Sequence, residues 1–266
     1  MPDLNFIPLP IFTSNYLWLI QRGRAVWVVD PGLAEPVLDY IKQQQLQLKG
    51  ILITHTHNDH IGGLAELLTG LSQLGANSCP VYGPAHAKLA NIHVLNEGDS
   101  LSLFDGIDAT VMHLPGHLPE HLAFYIEPCA RRAPALFCGD IIFASGCGRM
   151  FSGPAATFKQ SLERIAAMPG DTELYCAHEY SLINLDWALS ILPEDAALNA
   201  RKAELEQRFA NKGCTLPSDV AAENRANLFL RCAEKTLWQA VADKLQRPIE
   251  SSLACFAGLR ELKDNY

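Results

Sequence analysis

The chain has 266 residues, of which 48% are hydrophobic and 19% charged, and its formal net charge is −8. That balance supports one large core or two unequal ones and excludes wholesale disorder. It also weighs against a nucleic-acid partner, which needs a basic surface.

In chain order, Tyr16–Ile20 and Ala25–Val29 read as a strand pair joined by Gln21-Arg22-Gly23-Arg24. Asp30-Pro31-Gly32 then turns the chain. A helix is expected from Pro36 to about Leu46. Gly50-Ile51-Leu52-Ile53 reads as a buried strand ending at Thr54, and a helix over Gly62–Leu74 follows. Further strands are expected near Val81 and over Leu101–Leu103, Ala109–His113, Ala123–Ile126, Ala135–Cys138 and Leu174–Cys176. Thr157–Met168 is a helix closed by Pro169-Gly170. Beyond His178 the texture is helical throughout, over Leu182–Ile191, Ala196–Ala210 and Glu234–Leu245, with no clear strand signal. The expectation is therefore a mixed α/β domain over 1–178 and a small helical domain over 179–266.

The eight cysteines form no Cys-x-x-Cys pair, and several lie in apolar runs such as Leu136-Phe137-Cys138. They read as free thiols of a reducing compartment. The first residues carry no basic, apolar export signal, and no stretch approaches the roughly 20 apolar residues of a membrane helix. A soluble cytoplasmic protein with no membrane partner is expected.

Chemistry concentrates in Thr54-His55-Thr56-His57-Asn58-Asp59-His60, which begins where a rigid strand stops. Imidazole and carboxylate are ligands for zinc, iron or manganese. His55 and His57 can reach one metal from one side, and Asp59 and His60 can face a second beside it. Three more ligand-type residues sit at strand ends, each directly after a small residue: His117 after Gly116, Asp140 after Gly139, and His178 after Ala177. His121 could orient a ligand from behind. His86, His93 and His113 read as structural. Cys147 is not needed as a nucleophile, because water on a divalent cation ionises near neutral pH.

The run Thr-His-x-His-x-Asp-His, then Pro-Gly-His, Gly-Asp and His, resembles the metallo-β-lactamase superfamily. The resemblance implies an αββα sandwich with two metals, most simply zinc, with iron or manganese as alternatives. It also implies that His55, His57 and His117 bind one metal, that Asp59, His60 and His178 bind the other, and that Asp140 bridges them. Gly146-Cys147-Gly148-Arg149, His178-Glu179-Tyr180 and the tail Phe256–Asp264 further resemble the hydroxyacylglutathione hydrolase (glyoxalase II) family, over essentially the whole chain. That resemblance implies a monomeric thioesterase acting on S-(2-hydroxyacyl)glutathione, the second step of methylglyoxal detoxification, with Arg149, Tyr180, Arg260 and Lys263 holding the glutathione. The chain departs from the family pattern at Leu118 and Glu120, in the loop Pro115–His121, and at Ile141, Phe151 and Leu228. Rival readings are a sulfur dioxygenase, a β-lactamase or a nucleic-acid hydrolase on the same scaffold, and a metal-loaded binding protein without turnover. For Arg260 and Lys263 the plain alternative is a solvated terminal helix.

Overall fold

Side chains alternate across a strand, and that alternation assigns two faces to the first sheet. The computed structural model describes residues 3–74, 79–86, 88–89, 91–129 and 132–266. The chain divides into two compact units, Met1–His113 with Glu120–Gly139, and Leu114–Pro119 with Asp140–Tyr266.

In the first unit β1 (Leu4–Ile11), β2 (Asn15–Arg22) and β3 (Ala25–Val29) form an antiparallel meander. Helix α1 (Glu35–Gln44) crosses to β4 (Gln47–Leu52), which runs parallel to β3. The short α2 (Asn58–Ile61) and α3 (Leu64–Gln73) precede the parallel strands β5 (Val81–Gly83) and β6 (His93–Val94). The strand order in this sheet is β1 to β6 without interruption. A second, antiparallel ladder runs through β7 (Ser100–Phe104), β8 (Ile107–His113), β9 (Leu122–Ile126) and β10 (Ala135–Gly139).

Leu17, Leu19, Val26, Val28, Ile51 and Ile53 turn outward and pack with Val37 and Ile41 of α1 and Leu67 and Leu71 of α3. The residues between them turn the other way. Trp18 meets Phe137 of β10 at 6.5 Å between ring centroids, and Phe6 meets the same ring at 5.1 Å. The buried Trp27 indole N–H donates to the Leu103 carbonyl at 2.8 Å, as a buried polar tip must. Gly50 makes room for that indole, since a Cβ there would lie 2.2 Å from the ring.

Two expectations change in this unit. The helix expected over 62–74 begins at Leu64 and is preceded by the short, separate α2, because the chain bends at Gly62-Gly63. The Gly63 N–H donates to the Pro31 carbonyl at 3.0 Å, and a Cβ on Gly63 would meet Leu33 backbone at 2.4 Å. Strand β1 was not expected, because Pro8 and Pro10 lack ladder donors; as an edge strand it tolerates them.

The second unit holds the hairpin β11 (Ile142–Phe143) and β12 (Gly146–Cys147), then α4 (Ala155–Ala166) and β13 (Glu173–Cys176). Helices α5 (Ser181–Ile191) and α6 (Ala196–Lys212) follow, then β14 (Ser218–Asp219), α7 (Val220–Ala226), α8 (Lys235–Leu245) and α9 (Ser252–Asp264). Strand β13 stands where it was expected, and its partner β14 is the strand signal missed beyond His178, at two residues too short to show alternation. Asp195, Asp219 and Ser251 cap α6, α7 and α9 by accepting from backbone N–H groups. An aromatic cluster fills the core: Trp187 stacks on Phe229 at 5.4 Å, and Phe256 meets both Phe229 and Phe158 at 5.7 Å. Among the described residues no helix is long and apolar enough to cross a membrane.

Phe256 is fully buried in that cluster. Phe256→Ala is expected to destabilise the protein by about 3–5 kcal/mol, measured by urea denaturation.

Candidate metal centre and binding residues

In the first unit the ligand segment is anchored by a residue that sequence reasoning did not single out, Asp30. Its left-handed backbone (φ 54°) turns the chain directly after β3. Its carboxylate accepts from the Thr54 backbone N–H at 2.7 Å, the Thr54 hydroxyl at 2.6 Å and His60 Nδ1 at 2.9 Å. The Thr54 hydroxyl has spent its one proton on Asp30. His55 Nδ1, 3.0 Å away, therefore donates to that oxygen. Both histidines carry a proton on Nδ1 and present the Nε2 lone pair. His55 Nε2 lies 3.1 Å from His57 Nδ1, and His60 Nε2 lies 3.7 Å from Asp59 Oδ2. Asn15 donates to that same Asp59 oxygen at 2.8 Å.

Asp30, His55 and His60 also offer three ligand-type atoms within 4.8 Å of one another. The Asp30 oxygens are already occupied by three donors, so Asp30 orients the histidines and does not join them as a ligand. His121 is fully buried and stacked on His55 at 4.9 Å. Gly139 (φ 47°) closes over this spot, where a Cβ would come 2.5 Å from the Thr54 hydroxyl. Glu120, one of the departures from the family pattern, accepts from the Thr56 hydroxyl at 2.9 Å. His86, His93 and His113 are more exposed and belong to none of the ligand groups.

The second unit gathers His117, Asp140 and His178. His117 donates from Nδ1 to the Arg149 carbonyl at 2.8 Å, so its Nε2 lone pair faces Asp140 Oδ2 at 3.6 Å. His178 Nε2 reaches the same oxygen at 3.4 Å. Two close approaches explain the small residues here. A Cβ at Gly148 would lie 2.0 Å from the Asp140 carbonyl, and one at Gly116 would lie 2.3 Å from the Phe158 ring. Tyr180 stacks on His178 at 4.6 Å, and Phe143 sets its edge against both rings at 5.5 Å. Phe151 is exposed, with its ring edge on His117 at 5.3 Å.

Buried imidazoles with Nδ1–H fixed by an oxygen acceptor and Nε2 offered beside a carboxylate are the donor arrangement a divalent transition metal requires. His60 and His117 meet that test, and His55, with its Nδ1–H fixed by Thr54, offers its Nε2 beside His57.

Of the expected binding residues, the same unit brings Arg149 and Arg260 to one carboxylate. Arg260 pairs with Asp264, whose Oδ1 lies 3.6 Å from Arg149 Nε. Asp264 was not singled out from the sequence, although its position four residues after Arg260 on α9 was the available signal. Arg260 is buried, donates to the Cys147 carbonyl at 3.3 Å and lies over the Phe229 ring at 5.1 Å. It is therefore not on a solvated helix. Lys263 holds its ammonium 5.0 Å from the Trp187 ring centre. Burial, reinforced by the Arg260 charge, pushes the Lys263 amine down to about 8. Burial pushes the Cys147 thiol up to about 11, which fits a thiol that takes no nucleophilic part.

Asp30→Ala is expected to lower apparent metal affinity by about 10–100-fold, measured by chelator competition on the purified protein, because His60 and Thr54 lose their shared acceptor.

The metallo-beta-lactamase superfamily model matches residues 11–178, and the hydroxyacylglutathione hydrolase C-terminus model matches residues 179–266. A hydroxyacylglutathione hydrolase of Hahella chejuensis is 39% identical over 98% of this chain and 99% of its own. Another, of Cupriavidus taiwanensis, is 41% identical over 99% of each. The crystal structure of ETHE1 from Myxococcus xanthus superposes with a TM-score of 0.61 at 22% identity, covering 98% of this chain and all of the other, and shares the fold. Such a fold, with histidines and aspartates grouped as they are here, fits a binuclear metal site. Matched along both parts of its length, the chain belongs to the hydroxyacylglutathione hydrolase family, built on the metallo-β-lactamase fold.

Proposed function

We propose that the protein hydrolyses S-(2-hydroxyacyl)glutathione thioesters, S-D-lactoylglutathione above all, to glutathione and the 2-hydroxy acid. The observation that carries this reading is the near-full-length identity to hydroxyacylglutathione hydrolases, joined to locked histidines offering Nε2 beside carboxylates.

In this reading His55, His57 and His117 would hold one divalent cation, and Asp59, His60 and His178 would hold the second. The Asp140 carboxylate would offset the repulsion of the two cations. Zinc is the first choice for a site of imidazole and carboxylate, with iron or manganese as alternatives. When bound, the pair supplies an ionised water near neutral pH and a Lewis acid for the thioester carbonyl.

The chain's own residues supply the rest. Arg149 and Arg260 present planar guanidinium groups to the two carboxylates of glutathione, which they can bind through paired hydrogen bonds. Lys263 adds a charge beside them, and Tyr180, stacked on His178, helps hold the glutathione part of the thioester. The helical segment 179–266 acts as the glutathione-binding domain. The protein works as a monomer in the cytoplasm on a small-molecule thioester, the last step of methylglyoxal disposal. Neither nucleic acid nor membrane takes part.

Hydrolysis of S-D-lactoylglutathione, followed by loss of thioester absorbance, tests the reading. Metal-replete wild type turns over, Asp140→Ala does not, and Arg260→Ala/Lys263→Ala raises KM by at least about tenfold. Inert wild type with two metals bound sinks the proposal. The Lys263 amine is charged below about pH 8 and neutral above it. KM of the wild type is therefore expected to climb between pH 7 and 9, and Lys263→Met should flatten that profile.

A further inference from the structure

The hairpin β11–β12 begins two residues after Asp140 and, with Gly148 and Arg149 that follow it, touches His117, Asp140 and His178. Phe143 sets its ring against His178, and Gly148 lies flush on Asp140 and His117. Arg149 gives its carbonyl to His117 Nδ1, and Cys147 gives its carbonyl to Arg260. The hairpin has only two residues in each strand, and its turn residue Ser145 is left-handed (φ 59°). A ladder this short does not hold its own geometry.

It is held from behind by a buried polar cluster. Glu223 of α7 is fully buried, and its Oε2 accepts the Ser145 backbone N–H at 2.7 Å. The same oxygen accepts Asn227 Nδ2 at 2.9 Å, and that amide also donates to the Gly146 carbonyl at 2.9 Å. Glu223 Oε1 accepts the Ser218 hydroxyl at 2.5 Å, and Ser218 in turn accepts from Arg201 at 2.7 Å. Arg201, buried as well, lies 3.8 Å from Glu223. Burial pushes the Glu223 carboxyl above the usual range, while Ser218 and Arg201 pull it back. A buried carboxylate is costly to keep, and an apolar residue of the same volume fills such a site at less cost. Stability alone therefore does not explain a carboxylate here; its reach to Ser145 does.

We infer that Glu223 is a positioning residue for the reaction proposed above, holding the β11–β12 hairpin through the Ser145 N–H so that Asp140, Phe143 and the Arg149 carbonyl keep their places. The inference rests on that functional reading. Two substitutions separate positioning from charge balance. Glu223→Asp keeps the charge opposite Arg201 but is one methylene short of Ser145. Glu223→Gln keeps the reach but loses the charge and turns one acceptor into a donor.

The experiment compares full-length wild type, E223D and E223Q by steady-state kinetics on S-D-lactoylglutathione, and by hydrogen exchange with mass spectrometry. Displacing the hairpin is expected to lower kcat of E223D by up to about a hundredfold, with KM within about twofold. Exchange in 142–147 is expected to quicken by about tenfold or more, as for loss of a hydrogen bond to a charged group, while exchange in 252–264 holds at the wild-type rate. E223Q, whose amide oxygen still accepts the Ser145 N–H, is expected to keep kcat within about threefold of wild type and to keep the wild-type exchange over 142–147. If E223D matches wild type in kcat and in exchange over 142–147, Glu223 serves only to balance Arg201 and the inference is overturned. A uniform rise in exchange across 140–266, with kcat per folded molecule unchanged, overturns it too. Should wild type leave the thioester intact, the functional reading falls, and exchange over 142–147 still decides whether Glu223 holds the hairpin.

Discussion

The Asp30 carboxylate is the constraint on which the first unit's chemistry depends. One side chain receives Thr54 twice and His60 once, and through the Thr54 hydroxyl it dictates the proton on His55. A strand end, a turn and two imidazoles are thereby tied to a single point. Asp30 itself is placed by a left-handed backbone and by Pro31-Gly32, where a Cβ on Gly32 would strike the Asp59 carbonyl at 1.9 Å. The loop can take one shape, and in that shape the lone pairs face inward. The strain of a left-handed aspartate is a modest cost for that fixed geometry.

The second unit reaches the same end by other means. Here the acceptor that locks His117 is a backbone carbonyl, and the orienting charge lies deep in a helical core. The difference follows from the local scaffold. A long parallel strand such as β4 delivers its ligands at a rigid end, whereas the two-residue strands β11 and β12 need outside support. Asn184 and Asn227 supply part of it, donating to the Ala144 and Gly146 carbonyls at 3.1 and 2.9 Å.

Much of this was legible in the sequence because the candidate ligands follow a local pattern. A strand runs out, a small residue lets the backbone close in, and a histidine or aspartate follows. Gly116–His117, Gly139–Asp140 and Ala177–His178 all show it, and the structure gives Gly116 and Gly139 their steric reason. Asp30 was hidden because Asp-Pro-Gly reads as an ordinary turn and its partners lie 24 and 30 residues away. Glu223 and Arg201 were hidden for another reason: on α7 and α6 they look like solvated helix charges until the tertiary fold buries both. Strand β1 was masked by its prolines, and the short helix α2 was hidden because it ends where Gly63 docks against Leu33, just ahead of the helix expected over 62–74. Glu120, a departure from the family pattern, accepts from the hydroxyl of Thr56, which lies between His55 and His57.

Asp264 has a meaning beyond its two ion pairs. It is an internal carboxylate resting on the guanidinium groups proposed to greet the carboxylates of a ligand. In the proposed function, recognition there would be an exchange of an internal anion for the ligand's own, not the filling of an empty cationic pocket. Paired with Asp264, neither arginine waits bare for its ligand. It also means that the protein carries its own competitor. In the proposed reaction, glutathione released as product would leave a site that Asp264 can reclaim, which would favour turnover over tight retention.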